Sequence, residues 1–267
     1  MKKIVILTAD ELRHDYFKIK FASEDNIDVL KTYCDITRKK YKPTIDYTDI
    51  SNIHFSSRHQ VEKDFFEEYV HTSKDRSNSQ YIKRGGINSD KYIEEICDMS
   101  PDFIVTYGCC IIKPKLIDLF KNRIINVHLG LSPFYFGSGT NFHPIVEKEL
   151  SAIGCTFMYM DEGVDTGKII HQVRAVVDPC DNIHQIGNRL IKRMTQKFIS
   201  LIKDFDRVKD KVPRTDKVGK TYKASDCTPE TIEAAYRNIS HGACLEHLQN
   251  KRKLDSYFPL VEQEFLC

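Results

Sequence analysis

The sequence lacks the features of several protein classes. Its 267 residues include no tryptophan, only 12 glycines and 9 prolines, which excludes collagen-like and low-complexity chains. The 40 basic and 38 acidic residues leave a net charge of +2, without the positive excess that nucleic-acid binding usually needs. Apolar runs are only a few residues long, whereas a membrane-spanning helix needs about 20. We therefore expect a globular protein that binds neither a nucleic acid nor a membrane.

Paired cysteine motifs are also missing. The chain has 9 cysteines, an odd number, and no CxxC pair among them. A disulfide framework or a zinc site would show paired spacing, and the adjacent Cys109 and Cys110 point to opposite faces of an extended chain. We expect reduced thiols, a cytoplasmic location and no bound metal.

Short apolar runs alternate with helical stripes along the chain. This pattern is typical of an α/β, Rossmann-like fold, in which a mostly parallel sheet carries helices on both faces. Strands are predicted at 4–8, near 27–30, and at 103–107, 123–128, 154–160 and 168–177. Helices are predicted from residue 10 through 21, at 54–72, around 92–97, after Pro114, and at 141–150 and 181–205, with a loop at 73–80.

A charged segment divides the chain into two parts. Residues 206–220, DRVKDKVPRTDKVGK, have little apolar content and are typical of a linker or exposed loop. We predict a main domain at 1–207 and a linker with a small C-terminal extension at 208–267, too short for a large core of its own. Thr228 and Pro229 predict the start of a helix within this extension.

Three polar residues in the middle of the chain form a candidate site. Asn126 and His128 end a predicted strand and, with a period of two, point to the same side. In open α/β sheets, ligands bind at the carboxyl ends of strands. Asp165 follows in the loop DEGVDTG, where Gly163 permits a tight approach to a ligand. An amide and an imidazolium can donate hydrogen bonds to a developing oxyanion, and a carboxylate can raise the imidazole pKa, so the set suits acyl transfer to an amine.

Competing interpretations exist for each motif. A histidine at a strand end is often structural, and DEGVDTG lacks the spacing of an EF-hand. The GSGT run at 137–140 has no following lysine, so it is no P-loop, and no GxGxxG follows the first strand. Arg13 and His14 fit either a phosphate contact or an exposed helix face. Thr140 and Asn141 fit either an acceptor contact or a helix N-cap, and His143 also fits an acceptor contact.

Three sequence blocks carry a resemblance to a known family. PDFIVTYGCCIIKPKLIDLF, INVHLGLSPFYFGSGTNF and GCTFMYMDEGVDTGKIIHQ occur in that order between residues 101 and 172. Together they resemble the folate-dependent formyltransferases, over about residues 82–205. The resemblance implies that Asn126, His128 and Asp165 are the catalytic set and that 10-formyltetrahydrofolate is the co-substrate. It also implies binding of the pterin by a further group: Tyr107, Gly108, Cys109, Cys110, Ile111, Ile112, Asp161 and Gly163.

Departures from the family pattern narrow the choice of acceptor substrate. The extension is shorter and less basic than the C-terminal barrel of methionyl-tRNA formyltransferases, and the glycine-rich turn of glycinamide-ribonucleotide enzymes is absent after the first strand. Hydrolases of this family normally carry an N-terminal regulatory domain, whereas the first predicted strand here begins at residue 4, so we do not expect hydrolysis. The chain most resembles the sugar-nucleotide N-formyltransferases, although Phe136 stands where many relatives have arginine. We expect a nucleotide-linked amino-deoxy sugar as acceptor.

Other functions remain open from the sequence. The acceptor amine could instead be of the hydroxyornithine type or glycinamide ribonucleotide, and a non-catalytic folate or nucleotide binder is the alternative from a different class. The sequence leaves a homodimer open.

Overall fold

A seven-stranded sheet forms the centre of the protein. The structure is a computed structural model that describes residues 1–36, 49–214 and 218–266. Strands in the order β3-β2-β1-β4-β5-β7-β8 make up the sheet. The first five strands in this order run parallel to one another, whereas β7 pairs antiparallel with both β5 and β8. The sheet strands are β1 (Lys2–Ala9), β2 (Ile27–Ile36), β3 (Ser79–Lys83), β4 (Phe103–Tyr107), β5 (Ile124–His128), β7 (Gly154–Tyr159) and β8 (Ile169–Arg174). Two further strands, β6 (Tyr135–Gly137) and β9 (Lys220–Tyr222), pair in parallel.

Helices cover both faces of this sheet. The helices are α1 (Leu12–Ala22), α2 (Ile50–Thr72), α3 (Asp90–Met99), α4 (Pro114–Leu119), α5 (His143–Val146), α6 (Ile183–Lys203), α7 (Pro229–Ser240), α8 (Ala243–Gln249) and α9 (Lys251–Ser256). Along β1, Ile4 and Ile6 pack with α1, α2 and α6, while Val5 and Leu7 pack with α3 and α4. This alternation follows from the period of two in a strand, and it confirms the α/β, Rossmann-like fold.

Several element predictions need correction. Instead of one helix at 141–150, the chain forms the single turn α5, because Lys148 adopts a left-handed conformation with φ of 58°. The predicted loop at 73–80 contains the start of β3, a polar edge strand in which only Ile82 is buried. Strand β6 was not predicted, and the charged segment ends in β9. Residues 37–48, where the sequence supports no motif, lie outside the described residues.

The C-terminal extension packs against the main domain. Ile232 and Ala235 of α7 are fully buried, and Ala235 belongs to the same hydrophobic core as α1 and α6. The Gln263 side chain donates to the carbonyl of Ile170, within β8, at 2.9 Å. The extension thus adds to the main core, and the division at residue 207 stays a prediction. No helix within the described ranges is long and apolar enough to cross a membrane.

Candidate active site

One cavity of about 820 Å³ opens at the carboxyl edge of the sheet. Strands β4 and β5 end there at Tyr107 and His128, and each is followed by a loop that borders the cavity. All of the residues predicted for the site line this cavity, which brings together segments at 107–112, 126–128 and 161–165. The volume is of the size that small-molecule sites usually have.

The His128 imidazole lies between two hydrogen-bond acceptors. It is only 6% exposed, with Nδ1 3.2 Å from Oδ2 of Asp165 and Nε2 3.0 Å from the carbonyl oxygen of Tyr135. Asp165 reaches the ring from a left-handed backbone conformation with φ of 58°. Its Oδ2 also accepts a hydrogen bond from the backbone N–H of Gly137 at 3.2 Å, which ties the loop at 161–167, which we name the Asp loop, to β6.

Opposing influences set the proton affinity of His128. Burial lowers the pKa of His128 below its ordinary value, while the Asp165 carboxylate and the Tyr135 carbonyl act in the opposite direction. The sequence-based expectation that Asp165 raises this pKa is right in sign, but burial outweighs the carboxylate. Only an imidazolium can donate from both ring nitrogens, so the two acceptors are placed to stabilise the ring once it gains a proton.

Asn126 presents its amide N–H₂ group as the donor. Its Oδ1 accepts a hydrogen bond of 2.7 Å from Oγ1 of Thr106, a fully buried residue on the neighbouring strand β4. Because this bond occupies the carbonyl side of the amide, Nδ2 is the group left to donate toward the cavity that Asn126 lines.

Close packing around His128 requires a glycine in the next loop. A Cβ atom on Gly130 would lie 2.3 Å from Nε2 of His128 and 2.9 Å from Oγ1 of Thr140. Oγ1 of Thr140 in turn donates to the carbonyl of Leu129. Even the smallest side chain at position 130 would therefore displace the imidazole or the loop.

The segment after β4 forms a second wall of the cavity. Oδ2 of Asp35, a buried residue, accepts a hydrogen bond of 2.6 Å from the backbone N–H of Cys110. Ile111 is 74% exposed and Val164, which also lines the cavity, is 54% exposed. These side chains offer apolar contact to a ligand in the cavity.

The Asp loop holds its own shape. Oδ1 of Asp161 accepts hydrogen bonds from the backbone N–H of Gly163 at 3.0 Å and from Oγ1 of Thr166 at 2.9 Å. A Cβ on Gly163 would lie 1.9 Å from that same hydroxyl. The carboxylate of Asp161 therefore organises the loop.

Two further predictions can now be decided. His14 is buried, and Nη1 of Arg13 lies 2.9 Å from Oε2 of Glu62, so neither residue forms an ordinary exposed helix face. Asn141 accepts from the N–H of Gly154 at 3.1 Å and does not cap α5, whose N-cap is Phe142. The N-cap interpretation of Asn141 is therefore wrong.

Sequence reasoning missed the contribution of α2. His54, Arg58 and Glu62 line the cavity, although the helix was recognised only for its apolar face. Their spacing of four residues places them on one side of the helix. That polar stripe was the available signal. From the extension, Lys223 and Cys227 also line the cavity.

Metal ligation is not indicated by the side-chain positions. Within 1–36, 49–214 and 218–266, no group of three or more His, Cys, Asp or Glu side chains could hold a metal ion. The eight cysteines in those ranges are free thiols.

The fold and the site define an open α/β protein with a polar, amide- and imidazole-bearing cavity at the carboxyl edge of its sheet. The family model described as formyl transferase matches residues 36–202, more than half of the chain, and the chain belongs to that family.

Similar proteins carry several names within this family. Methionyl-tRNA formyltransferase of Ehrlichia ruminantium (strain Gardel) is 31% identical over 156 residues, which are 56% of this chain and 51% of that protein. The chain thus spans about half the length of the curated relatives it matches.

Solved structures of the family share the fold. A phosphoribosylglycinamide formyltransferase from Anaplasma phagocytophilum has a TM-score of 0.56 at 15% identity, covering 84% of this chain and 98% of that one. A 4-N formyltransferase from Francisella tularensis has a TM-score of 0.56 at 18% identity, covering 89% and 87%. At such identities the likeness shows the fold alone.

Proposed function

We propose that the protein transfers a formyl group from 10-formyltetrahydrofolate to the amine of a nucleotide-linked amino sugar. The observation that carries this proposal is the convergence of Asn126, His128 and Asp165 in one cavity of a chain that belongs to the formyl transferase family. An amide donor, an imidazole and a carboxylate at one place can supply the oxyanion stabilisation and the proton transfer that formylation of an amine involves.

The co-substrate supplies the formyl carbon that the acceptor amine attacks. As the new carbon–nitrogen bond forms, negative charge develops on the formyl oxygen, and Nδ2 of Asn126 donates a hydrogen bond to it. Thr106 holds the amide in the required orientation through its bond to Oδ1. This donor is fixed before the substrate arrives, so little reorganisation is needed during the reaction.

His128 and Asp165 carry the proton. The amine loses one proton as it becomes an amide, and the departing folate nitrogen gains one. Burial lowers the pKa of His128, which leaves a neutral ring that can take up a proton. Asp165 and the Tyr135 carbonyl then stabilise the imidazolium, whose positive charge also favours the oxyanion.

The pterin is assigned to the wall at 107–112 and to the Asp loop. The backbone between Gly108 and Ile112, held by Asp35, and the backbone around Asp161 and Gly163 offer donors and acceptors on two sides of one opening. We propose that exposed Ile111 supplies apolar contact to the bound ring.

We propose a small-molecule acceptor because of the size of the cavity and the net charge of the chain. The cavity of about 820 Å³ is lined by residues of α2 and α6 as well as by Asn126, His128 and Asp165, which we name the catalytic trio. This leaves room for a second substrate. The near-balanced charge of the whole chain does not favour a large polyanion. We propose that the extension at 208–267 completes this end, through Lys223 and Cys227.

An acceptor panel tests the proposal. The purified protein is incubated with 10-formyltetrahydrofolate and, separately, nucleotide-linked amino sugars, glycinamide ribonucleotide, a hydroxyornithine-type amine and methionyl-tRNA, with mass spectrometry of each acceptor. We expect the mass gain of one formyl group on a nucleotide-linked amino sugar. Formylation of methionyl-tRNA alone would refute the proposed amino-sugar acceptor, and formate release without any amine would indicate hydrolysis instead of transfer.

A further inference from the structure

The cavity continues past the catalytic trio into a pocket between α2 and α6. His54 and Arg58 of α2 and His184 of α6 line this pocket, which we name the imidazole pocket. The two imidazole rings have centroids 4.7 Å apart. The proposed mechanism uses none of these three side chains.

Both imidazoles have a ring nitrogen without a hydrogen-bond partner. His54 is 4% exposed and His184 is 9% exposed. Nδ1 of His54 and Nε2 of His184 are buried and find no partner within the described part of the chain. Because buried polar atoms in native proteins are nearly always hydrogen-bonded, two such atoms on side chains that line one cavity point to a polar ligand there.

Arg58 supplies a positive charge at the same place. Its guanidinium forms no ion pair or hydrogen bond with any residue that the structure describes. Its neighbour Arg13 is paired with Glu62 and Glu11, so those carboxylates are already engaged. The pKa of Arg58 is lowered, chiefly by the charge of Arg13, which means that a negative ligand would relieve repulsion between the two.

The guanidinium of Arg58 favours an anion over a metal cation in this pocket. Burial lowers the pKa of His54 to about 4 and that of His184 to about 3, so both rings are neutral near pH 7. Neutral imidazoles alone would suit either kind of ligand. The guanidinium of Arg58 repels a cation, whereas a guanidinium can bind phosphate oxygens through two parallel hydrogen bonds.

We propose that Arg58, His54 and His184 form the subsite for the phosphate-bearing part of the acceptor. This inference rests on the proposed function, which requires a nucleotide-linked substrate. Arg58 contacts phosphate oxygens, and the two imidazole nitrogens exchange hydrogen bonds with phosphate or sugar hydroxyl groups. These three residues act in binding and selection of the acceptor and take no part in the transfer itself.

Calorimetric titration tests the subsite without any turnover. The folate-free protein is titrated with uridine and thymidine diphosphates and with the two phosphate-free nucleosides. We expect at least one diphosphate to bind more tightly than its nucleoside, and Arg58→Ala to weaken that binding about tenfold or more, as the loss of a charged hydrogen bond implies. Arg58→Lys should recover part of the affinity. Arg237→Ala, an exposed arginine on α7, is the matched control and should bind as the wild type does.

The imidazoles need a separate pair of variants. His54→Phe and His184→Phe keep a planar ring but remove both ring nitrogens, and each should weaken binding of the diphosphate severalfold while thermal unfolding stays cooperative. Equal affinity of diphosphate and nucleoside, an Arg58→Ala variant that binds like the wild type, or no binding of either diphosphate would each overturn the inference.

Steady-state kinetics separates this inference from the proposed function. With a nucleotide-linked amino sugar, Arg58→Ala should raise KM about tenfold and leave kcat nearly unchanged, because the lost contact is made equally before and during the reaction. Formyl transfer with an unchanged KM would overturn the subsite alone. Absence of transfer to any amine would refute the proposed function, and the titration would still decide the subsite.

Discussion

Replacing Asp165 by asparagine tests how the carboxylate supports His128. The substitution keeps the shape of the side chain, and asparagine tolerates the left-handed backbone at this position, where φ is 58°. Its amide oxygen can still accept the hydrogen bond from Gly137 that the carboxylate accepts at 3.2 Å. The main change is therefore the loss of a negative charge 3.2 Å from Nδ1 of His128.

The distance sets the size of the effect. Two unit charges 3.2 Å apart attract each other by about 5 kcal/mol at an effective dielectric constant of roughly 20. Part of this attraction is offset by desolvation, and a neighbouring opposite charge typically changes a pKa by about 1 to 3 units. In Asp165→Asn the pKa of His128, already lowered by burial, should fall further. Forming the imidazolium would then cost about 1.4 to 4 kcal/mol more, which corresponds to a rate loss of about 10- to 1,000-fold.

Single-turnover formyl transfer, measured from mildly acidic to mildly alkaline pH, is the appropriate assay. The ionisation of the amine is common to both proteins and cancels in the ratio of their rates. We expect the deficit of Asp165→Asn to be largest at high pH and to shrink as the pH falls through the wild-type pKa of His128. Glu162→Gln, which removes an exposed charge from the same loop, should have little effect. A variant within twofold of the wild type, or a deficit independent of pH, would refute the reasoning.

Three other substitutions test the roles of individual residues. Thr106→Val removes the hydroxyl that orients Asn126, so single-turnover rates should fall about 2- to 12-fold with folate affinity, measured by titration, unchanged. Gly130→Ala places a Cβ 2.3 Å from Nε2 of His128 and should reduce the same rate more strongly than Thr106→Val does. His171→Asn removes a buried ring whose pKa is lowered to about 4. The unfolded chain binds this proton below about pH 6.5 and the folded protein only near pH 4, so the free energy of unfolding falls on acidification by about 1.4 kcal/mol per pH unit for this group. Denaturant titrations at pH 7 and 4.5 should show a shallower decline in the variant.

Each of these three predictions has a contradicting result. A Thr106→Val protein with wild-type rates would mean that Asn126 needs no orientation by the hydroxyl. Wild-type activity in Gly130→Ala would mean that the loop yields without moving the imidazole. An unchanged acid slope in His171→Asn would mean that the ring is not held neutral in the folded protein.

The fold was predictable because the apolar pattern changes period at each element. Strand β4 matches its prediction in full, since a run of five buried residues follows a proline break. Helix α6 is close to its predicted bounds because Asn182 caps it and its apolar stripe is continuous. Strands β6 and β9 have three residues each and pair across a long stretch of chain, so neither has a local signal.

The site was predictable only in part. Asn126 and His128 share a strand, so a period of two places them together. Asp165 could be suggested as a nearby carboxylate, but no local periodicity places its separate loop beside that strand. The stripe on α2 was visible as polar residues at helical spacing. What the sequence did not contain was the packing of α2 against α6, which brings His54 and His184 to one pocket. Burial also determines the direction of the His128 pKa, and burial follows from the tertiary structure.

The most direct measurement of the central claim is the single-turnover rate of formyl transfer by His128→Asn, together with its affinity for a folate analogue. Loss of the rate by orders of magnitude with retained affinity and an unchanged unfolding transition is the predicted result. A rate close to that of the wild type, with the same acceptor and the same folate, would contradict it.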